Sequence, residues 1–559
     1  MRSRFSLCSR VFSAFGVMVM GMVGLTLVPG GAAAEPAVTG SVIQPVVPCE
    51  QLVRSFGISG ARTRVTSATP VAEKKPEAET KGEPAHCDVR GVIEPAVQFQ
   101  LRLPTTTYTG RYLQYGCGGL CGVISPTPFP NCGPGAGDAA VAATDDGHVG
   151  FVVVNGRWAA NNQAARNDWS YRAPHVLSLA SKHIIQTFYG APPRHSYFSS
   201  CSNGGREALL LAQRYPNDFD GIIAGTPGAA SIAPLLGVYH TWLTRSNTGP
   251  DGAFIIKPEK LPALHAAVVA ACDRLDGLVD GQIDDPRACR FDPGTVQCAP
   301  RTDAPTCLTP AQVEAARKLY AGPTDAHGHR LYPGGQSPGS ELAWNVWVVS
   351  GLPGFSAAWL LADNYLRYVG YPIGKKHSSL AEFQFTLGEF HRLQEEGVKS
   401  NAMSLDLREF QRSGGKLILW HGWGDPAIPP TSTLDYYQRL WQQSGGLRET
   451  QEWARLFMVP TMHHCQDGGY RLQAFDPVPE LVAWVERGQA PERILATGTN
   501  PESQPRSRPV FPYPLRAQYD GNGSIDDASN FVPAQPPAPP RDTIDWVGTY
   551  LHDIPGPRA

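Results

Sequence analysis

The chain of 559 residues has no CxxC pair, no basic block and no excess of either charge. Lys and Arg number 48 against 50 Asp and Glu, a formal charge of −2. That balance excludes the electrostatic footprint of a nucleic-acid-binding protein, and the irregular cysteine spacings argue against a structural zinc site. Charged residues are scarce, at 18%, while hydrophobic residues reach 42%; this composition excludes a disordered or coiled-coil chain. No internal repeat is present. Past the N-terminal segment no run of about 18 apolar residues occurs, so no membrane span is expected in the mature protein. Glycine and proline, at 58 and 51 residues, are plentiful and predict many turns and long ordered loops.

The N-terminus has the three parts of a secretory signal peptide. Arg2, Arg4 and Arg10 precede an apolar run over 11–28, and Ala32, Ala33 and Ala34 offer a small-residue cleavage site. A membrane anchor is the competing reading, but the run contains several glycines and ends in Pro29-Gly30-Gly31. Residues 1–34 are therefore expected to be removed, leaving a net charge of −5 and a secreted or periplasmic protein. Cys8 leaves with the leader and lies before the apolar run, badly placed for lipid attachment. An exported chain uses its remaining cysteines first as disulfides. Their number is odd, so at least one is unpaired or paired between chains.

Apolar runs predict strands over 97–103, 108–113, 151–155, 195–199, 221–224, 416–420 and 455–459. Residues 60–86 read as an exposed loop. Helical spacing of Leu177, Ile184, Ile185 and Phe188 predicts a helix over 173–189, and an Ala/Leu-rich stretch predicts another over 204–215. This alternation implies an α/β fold with a largely parallel sheet covered on both faces. From about 230 to 405 the rhythm stops: the segment carries Trp242, Trp344, Trp347 and Trp359, four cysteines and many loops. It reads as a lid domain inserted into a catalytic domain made of 35–229 and 406–559. The Pro-rich tail still holds Phe511, Tyr513, Phe531 and Trp546, which predicts that it packs on the body.

Three loops carry candidate chemistry. Ser196–Arg206 runs from a strand through small residues into a helix, and Ser202 stands where the nucleophile elbow of an α/β-hydrolase places its serine. The usual GxSxG pattern is broken, with Ser200 at the first glycine position. An N-capping serine in a Gly-rich turn is the competing reading. Asp425 follows the apolar stretch 416–420, and His463 and His464 follow the stretch 455–459. Serine, acid and histidine thus appear in α/β-hydrolase order, each after a strand. Cys201 and Cys465 flank Ser202 and His464. A disulfide between them would hold their Cβ atoms about 4 Å apart and pin nucleophile and base together.

Taken together, Cys201-Ser202-Asn203-Gly204-Gly205, the loop around Asp425, His421-Gly422, His464-Cys465, the segment 212–225 and Arg508–Pro514 resemble the tannase and feruloyl esterase family. The resemblance implies an α/β-hydrolase fold with a large inserted lid. It assigns Ser202 as nucleophile, His464 as general base and acid, and Asp425 as orienting carboxylate, braced by a Cys201–Cys465 disulfide. His463 is then a neighbour. It further implies a glycine-rich oxyanion loop, which Tyr115–Gly122 resembles, with donors at Gly118 or Gly119 and at Asn203. The family's cysteine pair near the C-terminus has no counterpart here.

Asp273, Asp276 and Asp280 lie in one Gly-containing loop between Cys272 and Cys289, the hard oxygens that Ca²⁺ requires, though EF-hand spacing is not met. A solvated acidic loop closed by a Cys272–Cys289 disulfide is the alternative. The resemblance implies a structural calcium site, with the side chains of Asp273, Asp276 and Asp280 and the carbonyls of Leu278 and Gln282 as ligands. Cys298–Cys307 and Cys49–Cys87 are expected as further pairs, with the pairing among Cys117, Cys121 and Cys132 open.

The implied activity is a serine carboxylesterase acting on small-molecule aromatic esters: feruloyl (hydroxycinnamoyl) esters first, galloyl esters or terephthalate half-esters otherwise. No nucleic-acid or membrane partner is expected after leader removal, and oligomeric state is not legible. Two other classes compete. A thiol–disulfide oxidoreductase would use Cys201 or Cys465, which lack a CxxC. A silent phenolic- or glycan-binding protein would use the same scaffold without turnover.

Overall fold

The computed structural model describes residues 41–75, 82–125, 137–150, 153–227, 231–350, 355–466, 472–536 and 540–558. The expected leader, Cys8 and Cys132 lie outside them. Among the described residues no helix is long and apolar enough to cross a membrane.

The core is a ten-stranded sheet. In chain order its strands are β1 (Ser55–Phe56), β2 (Thr63–Val71), β3 (His86–Ile93), β4 (Val97–Pro104), β5 (Arg111–Tyr115), β6 (Ala139–Thr144), β7 (His195–Cys201), β8 (Gly221–Gly225), β9 (Lys416–Gly422) and β10 (Ala454–Val459). They lie in the order β1-β2-β3-β4-β6-β5-β7-β8-β9-β10. From β6 to β10 all pairs are parallel, whereas β1 to β4 form an antiparallel ribbon joined to β6. The parallel half is apolar nearly throughout because helices cover both faces. On one face lie α1 (Ala173–Tyr189) and α2 (Asn203–Arg214). α1 buries Leu177, Ile184, Ile185 and Phe188 and ends at Gly190, whose φ of +79° suits a left-handed cap. Every residue of α2 is buried, since the helix is covered on its outer side as well. Leu481 and Trp484 of the C-terminal helix α6 (Val478–Arg487) pack on the other face.

Residues 226–415 connect β8 to β9, neighbours in the sheet, and among the described ones none adds a strand to it. Their helices include α3 (Leu261–Cys272), preceding the acidic loop, and α4 (Leu387–Gly397); α5 (Pro430–Gln443) follows β9.

Three expectations are corrected. Residues 63–71, expected as loop, form β2: Thr63, Val65 and Ala68 point inward while Arg64 and Thr66 face solvent. An antiparallel strand with one wet face needs only this sparse apolar alternation. The strand expected over 151–155 is not formed where it is described, since residues 153–155 are turn and irregular chain. The true strand is β6, an alanine-rich segment buried along its whole length, whose low β-propensity hides it. The strand expected over 108–113 lies at Arg111–Tyr115.

Candidate active site

Ser202 sits between β7 and α2 with φ 65° and ψ −126°, a left-handed conformation stored at a sharp strand-to-helix turn. Its backbone N–H donates to Gly225 O (3.0 Å) and Thr226 Oγ1 (3.2 Å). The turn tolerates little bulk. A Cβ at Gly205 would lie 2.1 Å from Gly225 O, and one at Gly204 would lie 1.9 Å from Ser200 Oγ. The serine replacing the usual first glycine is therefore accommodated by the glycine at 204.

The loops after β9 and β10 bring the other groups to the C-terminal ends of the parallel strands, where open α/β sheets hold their sites. His464 Nε2 is 3.0 Å from Ser202 Oγ, and His464 Nδ1 is 2.8 Å from Asp425 Oδ2. The backbone N–H groups of Ala427 and Ile428 donate to Asp425 Oδ1 at 2.8 and 2.9 Å. His421 Nε2 lies 3.2 Å from Asp425 Oδ2, and its Nδ1 lies 2.8 Å from Thr433 Oγ1. Burial works to raise the Asp425 carboxyl, but the His464 charge and the hydrogen bonds from His421 and His464 outweigh it and hold the group well below the usual carboxylate range. His464, not His463, meets Ser202 and Asp425.

Cys201 and Cys465 are joined, with Cα atoms 5.9 Å apart, and the bond closes a separation of 264 residues. Among the described residues the other disulfides are Cys49–Cys87, Cys117–Cys121, Cys272–Cys289 and Cys298–Cys307.

Ser202 and His464 open onto a narrow slot whose walls include Ile232, Leu235, Leu236, Leu361 and Ile428. Of the four tryptophans of the inserted segment, Trp347 reaches this slot, its ring edge-on to His464 at 4.9 Å. Trp344 is wholly buried. Gly119 and Asn203 also line the slot. Gly118 is not among the described lining residues; its carbonyl accepts the Cys121 N–H at 3.0 Å. His421, the aliphatic slot residues Ile232, Leu235, Leu236, Leu361 and Ile428, and the buried Glu207 behind the elbow were not singled out from sequence as site residues. For His421 the signal was its place at the end of an apolar strand four residues before Asp425.

The acidic loop after α3 folds around Asp273, whose carboxylate accepts the N–H groups of Asp280, Gly281 and Gln282. Asp280 Oδ2 is paired with Arg508 Nη2 at 2.5 Å. Among the described residues no cationic side chain lies within ion-pairing distance of Asp273, Asp276 or Asp284. Burial and mutual repulsion push Asp276 and Asp284 above the usual carboxylate range. Gln282 Oε1 is buried without a hydrogen-bond donor. Uncompensated carboxylates beside an orphaned amide oxygen fit a hard divalent cation. Asp284 joins this cluster although the sequence reading did not include it.

A family model described as tannase and feruloyl esterase matches residues 82–534. A mono(2-hydroxyethyl) terephthalate hydrolase of Piscinibacter sakaiensis is 34% identical over 525 residues, covering 81% of this chain and 85% of that protein. A probable feruloyl esterase B-2 of Aspergillus fumigatus is 31% identical over 465 residues, covering 79% and 85%. Among solved structures, feruloyl esterase B of Aspergillus oryzae superposes with a TM-score of 0.72 at 27% identity, over 84% of this chain and 97% of that one. Tannin acyl hydrolase of Aspergillus niger, at 22% identity and a TM-score of 0.67 over 91% and 98%, shares the fold.

Proposed function

This chain belongs to the tannase and feruloyl esterase family and is a carboxylic ester hydrolase; from that premise we propose that it is an exported serine esterase for aromatic, foremost hydroxycinnamoyl (feruloyl), esters. The observation that carries the reading is the unbroken hydrogen-bonded line from Asp425 through His464 to Ser202 at the mouth of an apolar slot. Ser202 Oγ attacks the ester carbonyl while His464 Nε2 takes its proton. Asp425 holds the Nδ1–H and stabilises the imidazolium. The tetrahedral oxyanion takes the backbone N–H groups of Asn203 and of Gly118 or Gly119, of which Gly119 is the one beside the slot. Collapse expels the alcohol with the proton from His464, and water activated by the same imidazole hydrolyses the acyl-enzyme.

The slot favours a neutral ring. Among its described lining residues the one guanidinium, Arg206, is committed to the carbonyls of Trp169, Ser170 and Ser400. A terephthalate half-ester would bring a carboxylate that finds no free cation there. Ca²⁺ held by the side chains of Asp273, Asp276 and Asp280 and the carbonyls of Leu278 and Gln282 would neutralise the carboxylate cluster in a structural role. Export follows from the leader-like residues 1–34 and the disulfides.

The test is a hydrolysis panel of methyl ferulate, methyl gallate and mono(2-hydroxyethyl) terephthalate, with kcat/KM expected highest for ferulate and lowest for the half-ester. Ser202→Ala is expected to lower kcat by ~10⁴-fold or more. A Ser202→Ala protein turning over at the parental rate ends the serine-esterase reading.

A further inference from the structure

Behind the glycine-rich loop lies a buried carboxyl pair that the Ser–His–Asp chemistry does not use. Glu207, one turn into α2, is wholly buried and divides its oxygens between the two segments that carry the oxyanion donors. Oε2 accepts the Cys117 N–H at 3.2 Å, and Oε1 accepts a hydrogen from Asn203 Nδ2 at 2.7 Å. Asn203 Nδ2 also donates to Cys117 O at 3.1 Å, and Arg206 Nε donates to Asn203 Oδ1 at 2.8 Å. One carboxylate therefore ties the loop to the elbow from both sides. The fit is close: a Cβ at Gly116 would lie 2.4 Å from Glu207 Oε2.

Asp146, two residues past β6, is wholly buried, and among the described residues no N–H or neutral O–H donor reaches either of its oxygens. Burial, and after it the charge of the neighbouring Glu207 carboxylate, push the Asp146 carboxyl well above the usual carboxylate range, and one of its oxygens lies within 4.8 Å of the Cys117 and Cys121 sulfurs that clip the loop.

We propose that Glu207 is a positioning residue for the oxyanion hole, holding the loop at 117–119 against the start of α2. This rests on the serine-esterase reading. Misplaced donors weaken the tetrahedral oxyanion far more than the ground-state ester. The effect should therefore fall on kcat and on transition-state mimics, not on ground-state binding.

The test compares the parent with Glu207→Gln, in which an amide NH₂ must oppose either Cys117 N–H or Asn203 Nδ2. With methyl ferulate, kcat is expected to fall ~10²-fold while KM stays within about twofold. The inhibition constant of an arylboronic acid, which forms a tetrahedral adduct on Ser202, should rise by the same factor as kcat falls. Inhibition by ferulate itself should not move. Glu207→Asp, which keeps the charge but shortens the reach to the Cys117 N–H, should by the same ratios give a smaller loss of about tenfold and serves if Glu207→Gln does not fold. Retention of kcat within about threefold, or KM and ferulate inhibition worsening in step with kcat, overturns the proposal. A parent that hydrolyses no ester and binds no boronate instead removes the serine-esterase reading beneath it.

Discussion

Burial alone would raise the Asp425 carboxyl, yet two imidazoles and two backbone N–H groups hold it ionised. Its role as proposed is to fix the His464 tautomer, so Asp425→Asn should lower kcat by ~10⁴-fold, the loss known for the same change in a chymotrypsin-type triad. The amide can donate to His464 Nδ1 and turn Nε2–H toward Ser202, where it cannot accept a proton. The stability consequence has a definite sign. A carboxyl whose folded pKa lies below its unfolded value of about 3.9 contributes stability fully above that value and loses it as pH falls toward the folded pKa. The stability of the parent relative to Asp425→Asn, measured by urea unfolding from pH 6 downward, should therefore shift against the parent below about pH 4; a constant difference would contradict the depressed pKa. Ser202, Asp425 and His464 were legible because each follows an apolar strand. Glu207 was not: a glutamate inside a helix reads as surface, and only the covering of α2 on all sides buries it.

Among the elements, periodicity located the strands with continuous apolar runs, such as β9 and β10, and missed β2 and β6. β2 buries too few side chains to announce itself, and β6 is built from alanines whose burial is imposed by neighbours on both sides. The loop between Cys272 and Cys289 was legible as an acidic element, but not that, among the described residues, Asp273, Asp276 and Asp284 make no ion pair. If Ca²⁺ fills that deficit, chelation with EDTA should lower Tm by a few degrees, and calcium should restore it, whereas ester kcat at 25 °C stays unchanged. A ligand present at 100 times its Kd contributes about 2.7 kcal/mol. An identical melting curve with EDTA and with calcium would leave the loop as a solvated acidic turn.

Across the whole molecule, the residues beyond 540 tie the segment between β8 and β9 to the elements that follow β9, something the aromatic residues of a Pro-rich sequence hinted at without giving partners. Asp542 pairs with Arg287 of the insert and accepts the Tyr513 hydroxyl at 2.6 Å. Ile544 N–H donates to Asp435 of α5 at 2.7 Å, and Val547 N–H donates to Arg330 O at 3.0 Å. Trp546 stands between these ties, 4% exposed, with its ring edge toward Phe390 of α4 and tilted against Tyr332. Truncation there removes a large buried ring from between Phe390 and Tyr332. Trp546→Ala should cost ~3–5 kcal/mol, the range for deleting a large buried aromatic. Guanidinium unfolding followed by far-UV circular dichroism measures the loss. A cost below about 1 kcal/mol would mean that the tail merely lies on the surface and that the segment between β8 and β9 is held in place by its other contacts.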